Sequence, residues 1–185
     1  MKTIPIILLA GLTLLWGCGQ DAASKDAEAR VIAAIQQTLG KADPQYVQAL
    51  HTWYQSDVPN TIKLNPKTEN IYRTHAELLR EAATQEPKLV DHPMTSVDQA
   101  QGIRAGYKKL VDESAANVQE LTNLATNGTS MSEAEQLKYV SDLADKETHQ
   151  LALVKYYGKR TAAALAQKQQ QQQHHKYMRE TWGLE

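Results

Sequence analysis

Histidine and glutamate stand close together at two places in this sequence, as metal ligands often do. His75 is two positions from Glu77, and Glu147 is two positions from His149. Side chains share a helical face when they are three or four positions apart, and di-iron sites in helical bundles use a Glu-x-x-His pattern. Neither pair has that spacing, and no zinc-type pair of histidines is present. We therefore expect no metal site, and histidines at surface or boundary positions.

Serine and aspartate are numerous, but no recognisable catalytic pattern surrounds them. The chain has no Gly-x-Ser-x-Gly elbow, which would expose a nucleophilic serine, and no glycine-rich loop that would cradle a phosphate. Adjacent His174 and His175 could hold a stray transition metal, although a tract of biased composition explains them equally well. The sequence thus predicts no catalytic residue and no cofactor, and it favours a protein that is not an enzyme.

Cys18 is the one cysteine of the chain, so an intrachain disulfide is excluded. It follows a positive start at Lys2 and an apolar run from Ile4 to Trp16. That run is shorter than the roughly 20 residues that a membrane-spanning helix needs. Its length is typical of the core of a signal peptide, which is removed from the mature protein.

The segment Leu15-Trp16-Gly17-Cys18 resembles the lipobox of bacterial lipoproteins, which has an aliphatic residue, two small residues and an obligatory cysteine. Leu15, Gly17 and Cys18 match this pattern, whereas Trp16 is bulkier than the usual residue. The resemblance implies that residues 1–17 are a signal peptide cut after Gly17, and that Cys18 carries lipid, palmitate included. Gly19 stands where an aspartate would retain the protein at the inner membrane of many Gram-negative bacteria, so the outer membrane is favoured for such a source.

Composition favours a single helical domain with no strong electrostatic preference. The 185 residues include no Phe, and aromatics are 6% of the chain, so Leu, Val, Ile, Ala and a few Tyr must form the core. Alanine and glutamine lose little side-chain freedom in a helix. Lys and Arg total 20 against 21 Asp and Glu. That balance does not favour binding to nucleic acid or to an anionic membrane surface.

Apolar residues at three- and four-residue steps predict an all-α bundle of about five helices. A long antiparallel hairpin should dominate it, formed by residues 96–126 and 131–170 around the turn at Asn127–Ser130. Three shorter helices precede the hairpin, and cap residues and prolines mark their bounds. We expect a lipidated tether over 18–24, a helical domain over 25–165 and a Gln-rich extension with a tail over 166–185. The expected bounds of the short helices are Lys25 to Gly40, Asp43 to Asp57 and Asn65 to a stop at Pro87.

The segment that follows residue 165 has two interpretations. Gln169–Gln173 is a run of five glutamines in which the apolar stripe stops, and a solvated or frayed extension would explain it. Alternatively, the helix projects from the core and pairs with a partner helix. In that case Tyr177, Met178 and Trp182 would be its apolar anchors.

Together these patterns predict an envelope protein anchored in a membrane through lipid on Cys18. Its helical body would bind or scaffold another envelope protein, for example as an assembly accessory or an exclusion factor. The alternative is a periplasmic bundle that binds a small molecule or a metal in a pocket near His75 or His149.

Replacement of the cysteine tests the anchor directly. The variant Cys18→Ser should accumulate as an uncut precursor, and labelled palmitate should enter the wild-type chain but not the variant. A wild-type chain that takes up no label would show that the lipobox assignment is wrong.

Overall fold

The computed structural model describes residues 17–41, 43–127 and 130–183, and all regular structure in these ranges is helical. The prediction of an all-α fold is confirmed. The described ranges contain six helices instead of the expected five, because a short additional helix, α3, precedes α4. No helix in the described ranges is both long and apolar enough to cross a membrane. The helices are α1 (Gly17–Leu39), α2 (Pro44–Gln55), α3 (Asn60–Lys63), α4 (Pro66–Val90), α5 (Val97–Asn127) and α6 (Glu133–Trp182).

Side-chain caps set the starts of the helices where the sequence predicts them. The Asp43 carboxylate accepts a hydrogen bond from the Gln45 backbone N–H at 2.7 Å, with Pro44 as the first helical residue. Asn65 caps α4 in the same way, ahead of Pro66. Ser132 caps α6 and exchanges hydrogen bonds with Glu135. Each cap satisfies a backbone group that the first helical turn would leave without a partner.

The prediction that Pro87 ends its helix is wrong. Helix α4 continues to Val90, so Pro87 lies in the last turn. Proline removes its own N–H donor and its ring crowds the carbonyl four residues earlier, but the proline carbonyl can still accept a hydrogen bond. The Asp91 N–H then donates to the Pro87 carbonyl at 2.9 Å, which closes the turn beyond the proline.

The segment 18–24 also differs from the predicted tether, because it is part of helix α1. Residues 1–16, which include Leu15 and Trp16, lie outside the described residues, but α1 already includes Gly17 and Cys18. The Ser24 side chain is buried, and its hydroxyl donates to the Tyr54 carbonyl at 2.9 Å. The domain thus includes Ser24, and Cys18, the predicted lipid site, belongs to the first helix of the domain.

The bundle has two distinguishable ends. At one, which we call the proximal end, α1 begins; Ser24 and Lys63 both donate to the Tyr54 carbonyl beside the start of α4. At the other, the distal end, residues 91–96 connect α4 to α5. There α6 passes this connection, and Lys168 donates to the Met94 carbonyl at 2.7 Å. Helix α6 packs most extensively against α4 and then against α5.

The apolar core forms two clusters, one above the other along the bundle. The proximal cluster joins α1 and α2 to the long helices, and Trp53 and Tyr72 are its largest fully buried side chains. The distal cluster is formed by α4, α5 and α6 around Tyr107 and Val154. On α4 the first cluster reaches Ala76 and the second begins at Leu78. Both clusters exclude water from apolar area, which is the main favourable term in folding.

Two tyrosine–glycine contacts join α5 to α6 in the distal cluster. The Tyr157 ring lies over Gly106, where a Cβ atom would overlap the ring and its hydroxyl. The Tyr107 hydroxyl would be 2.7 Å from a Cβ on Gly158. The two rings meet edge to face with their centroids 5.1 Å apart. On α5 and α6 the contacting residue numbers rise on one helix as they fall on the other, the order that an antiparallel pair requires.

Gly106 and Gly102 provide a matched pair of substitutions. Gly106→Ala should lower the free energy of unfolding by about 1–2 kcal/mol, because the Tyr157 ring must move. Gly102→Ala should raise it by up to about 1 kcal/mol, because a Cβ there meets no atom within 4 Å and alanine favours the helix. Urea denaturation followed by circular dichroism measures both. Equal effects of the two variants would contradict the packing described for Tyr157.

Candidate functional site

A cluster of four polar side chains, three buried and one half-buried, lies between the two apolar clusters. We call it the polar layer; it consists of His75 on α4, Ser114 and Asn117 on α5, and Glu147 on α6. Glu147 and Ser114 are 0% exposed and His75 is 5% exposed. A carboxylate removed from water in this way is costly unless hydrogen bonds or an opposite charge compensate it. The neighbouring side chains supply these bonds.

Each oxygen of the Glu147 carboxylate has its own donor from α5. The Ser114 hydroxyl donates to Oε1 in a short hydrogen bond, and the Asn117 amide donates to Oε2 at 2.9 Å. The His75 Nδ1 atom lies 2.6 Å from the Ser114 Oγ and 3.6 Å from Glu147 Oε1. Since the serine proton points to Glu147, His75 Nδ1–H must donate to the serine oxygen. The protons are therefore ordered from His75 through Ser114 to Glu147.

The helical register places these residues in the core. On α5, Ser114 lies three residues after Val111 and four before Val118. On α6, Glu147 lies three residues after Ala144 and four before Leu151. Both positions continue an apolar stripe at intervals of three and four residues. The side chains thus face the interior because of their spacing, and their polarity forces them to pair with each other.

Serine, histidine and glutamate are the residue types of a hydrolytic triad, but the geometry here differs from that of a triad. In a triad the imidazole lies between the two, with one nitrogen on the serine and the other on the carboxylate. Here Ser114 lies in the middle and one nitrogen of His75 faces both partners. Ser114 is also completely buried, which leaves no space for an acyl group at its oxygen.

A cavity of about 330 Å³ opens beside the polar layer. The end of α1, the start of α2 and the middle of α4 and α5 surround it. His75 lines it, and the Tyr46 ring stands 5.2 Å from the His75 ring, centroid to centroid. Burial raises the pKa of the Tyr46 phenol well above its ordinary value, and the charges of Tyr72 and Glu147 add to the effect. Tyr46 is therefore a neutral wall, and its hydroxyl donates to the Tyr72 carbonyl at 3.1 Å.

A second candidate surface is the part of α6 beyond Leu165, the last buried residue of that helix. This extension, residues 166–182, has its side chains largely in solvent, with Tyr177 58% and Trp182 67% exposed. At about 1.5 Å per residue it is about 25 Å long. Positive charge dominates the last part of the described chain, residues 155–183, where the acidic residue is Glu180 and the basic residues are Lys155, Lys159, Arg160, Lys168, Lys176 and Arg179.

The structure separates the residues that the sequence presents as pairs. His75 is buried and Glu77 is half-buried, while Glu147 is buried and His149 is exposed. His75 on α4 instead lies beside Glu147 on α6. The expectation of a surface or boundary histidine is therefore wrong at this position. Within the described ranges, no group of three or more His, Cys, Asp or Glu side chains is arranged to hold a metal ion.

The polar layer was missed because its members come from three helices. A detectable signal existed in each helix, namely a polar residue at a core step of an apolar stripe. Comparisons of the chain with protein-family models, with curated proteins and with solved structures give no match.

Removal of the buried carboxylate should destabilise the protein strongly. Glu147→Ala leaves Ser114, Asn117 and His75 without their shared acceptor, and should lower the free energy of unfolding by roughly 3–5 kcal/mol. Asp142→Ala is the control on the same helix, because Asp142 pairs with Lys138 at an exposed site. It should change the free energy by less than about 1 kcal/mol. Urea denaturation gives both values, and a mild effect at Glu147 would contradict the hydrogen bonding described above.

Proposed function

We propose that this chain is a lipid-anchored protein of the bacterial cell envelope whose α6 extension binds an acidic surface of another envelope protein. The lipid would be attached at Cys18 and would hold the proximal end of the bundle at the membrane. The protein would act by binding and positioning its partner rather than by catalysis. The outer membrane is the proposed location if the source is Gram-negative.

The observation that carries this proposal is the placement of Cys18 and the extension at opposite ends of the bundle. Helix α1 begins at the proximal end with Cys18 in its first turn, whereas α6 leaves the bundle at the distal end. The 50 residues of α6 make a helix about 75 Å long. A lipid at Cys18 would therefore direct the extension away from the membrane, where a partner could meet it.

The residue types of the extension support a protein partner. Tyr177, Arg179 and Trp182 stand within six residues at the tip, and Tyr, Arg and Trp are the types that most often dominate binding energy at protein interfaces. The two aromatic rings are exposed, so a partner could bury them. The excess of basic residues would steer an acidic surface toward the helix and favour a complementary one.

The charge of the extension is compatible with the near-neutral chain because acidic residues elsewhere offset it. Lys and Arg total 20 and Asp and Glu total 21 over the whole sequence, whereas the extension itself holds Lys168, Lys176 and Arg179 against Glu180. An anionic membrane surface could also attract such a segment. The distance between the extension and Cys18 argues against the leaflet in which the lipid would be inserted.

Site-specific photo-crosslinking in intact cells tests the proposal. A photoreactive amino acid at Gln172 or Tyr177, both exposed on the extension, should form a protein adduct. The same amino acid at Gln48, exposed on α2, should form none. Peptides identified at the crosslink should be rich in Asp and Glu. The charge reversal of Lys176→Glu with Arg179→Glu should reduce the adduct several-fold, while Lys176→Arg should leave it unchanged.

Adducts at Gln48 equal to those at Gln172 would overturn the docking role of the extension. Adducts with lipid or nucleic acid instead of protein would also overturn it. The Cys18→Ser variant tests the anchor separately. Its extension is unchanged, so loss of the adduct in this variant would show that binding requires the membrane location.

A further inference from the structure

We propose that the cavity beside His75, which we call the His75 cavity, binds a small neutral molecule with an apolar body and one hydroxyl group. The hydroxyl would bond to the Nε2 atom of His75. This site is independent of the envelope role, because it lies in the bundle and not on the extension.

Apolar side chains of four helices line much of the His75 cavity, and Asp43, Gln45, Gln119 and Thr122 line the rest of it. Leu39 closes it from α1, Tyr46 and Ala49 from α2, Leu79 from α4, and Ala115 and Val118 from α5. Its volume of about 330 Å³ falls at the lower end of the range for small-molecule sites, which is about 300–1,000 Å³. An apolar molecule with a single ring would gain free energy by leaving water for these walls.

Of the polar residues that line the cavity, His75 is the buried one. Its Nδ1 atom is occupied by Ser114, but no described residue bonds to its Nε2 atom. The side chain is more than nine-tenths buried and also lines the cavity. Nε2 is not one of the fully buried side-chain atoms that lack a hydrogen-bond partner, so water in the cavity reaches it and a ligand hydroxyl would replace that water. The cavity thus places one accessible nitrogen of a buried imidazole beside apolar side chains.

The surrounding charges determine which polar group fits that atom. A hydroxyl can donate to Nε2 when the ring is neutral and can accept from Nε2–H when the ring is protonated. An anionic group is disfavoured, because the Glu147 carboxylate lies 3.6 Å from the same ring and the Asp43 carboxylate stands among the cavity residues. A neutral hydroxyl therefore suits either state of His75, whereas a carboxylate would add a further negative charge.

Titration of the isotope-labelled protein with phenol, followed by nuclear magnetic resonance, tests the site. Phenol should shift the amide signals of Ala49, Leu79 and Val118 in a saturable manner. Toluene has the same shape without the hydroxyl and should bind about tenfold more weakly, the effect of one lost hydrogen bond. Benzoate should bind more weakly than phenol because of its charge.

Two neighbouring alanines provide matched variants that leave the polar layer intact. Ala115 lines the cavity and Ala116 does not, and both are exposed on α5. Ala115→Leu should fill the mouth of the cavity and weaken phenol binding about tenfold or more, whereas Ala116→Leu should leave it unchanged. The amide spectra of both variants verify that they fold.

Three results would overturn the proposal. If phenol shifts no amide signal of the cavity residues at any concentration up to its solubility limit, the cavity binds no such molecule. Equal binding of toluene would show that His75 Nε2 makes no contact with the ligand. Unchanged binding by the Ala115→Leu variant would place phenol elsewhere on the protein.

Discussion

The carboxylate of Glu147 lies at the level where α4, α5 and α6 meet, and three side chains from the other two helices surround it. An apolar core tolerates small shifts of one helix along another, because apolar contacts are not directional and a shifted side chain can pack against a neighbouring one. A buried carboxylate does not, because a shift of one turn would separate it from Ser114 and Asn117 and leave it unsatisfied. The polar layer therefore fixes the register of the three long helices, and the two apolar clusters pack on either side of it.

The same register gives the His75 cavity its form. Ser114 holds one side of the imidazole, so the ring orientation is set before any ligand arrives. Tyr46 lies against the ring from α2, and its own hydroxyl is committed to the Tyr72 carbonyl. His75 and Tyr46 are thus both held by bonds to other parts of the bundle. Such preorganisation lowers the entropic cost of binding, because few side chains must become ordered when a ligand enters.

The sequence predicts this fold well where local chemistry decides the structure. Asp43 before Pro44 and Ser132 before Glu135 define helix starts without any knowledge of tertiary contacts. Prediction fails where distant elements decide. Pro87 is typical of a helix end, yet α4 continues to Val90 and the Asp91 N–H bonds to the Pro87 carbonyl. Ser114 and Glu147 interrupt two apolar stripes, but sequence spacing within one helix cannot show that they meet each other. Total charge likewise conceals the basic end of α6, because acidic residues elsewhere balance it.

The glutamine tract lies in the middle of a continuous helix, with the bundle on one side and the aromatic tip on the other. Each residue of an α-helix turns the chain by about 100° and advances it by about 1.5 Å. One glutamine more or less would therefore barely alter the reach of the helix, but it would rotate the Trp182 face by more than a quarter of a circle relative to the bundle. The number of glutamines in the tract therefore determines the direction in which Tyr177 and Trp182 point from the bundle.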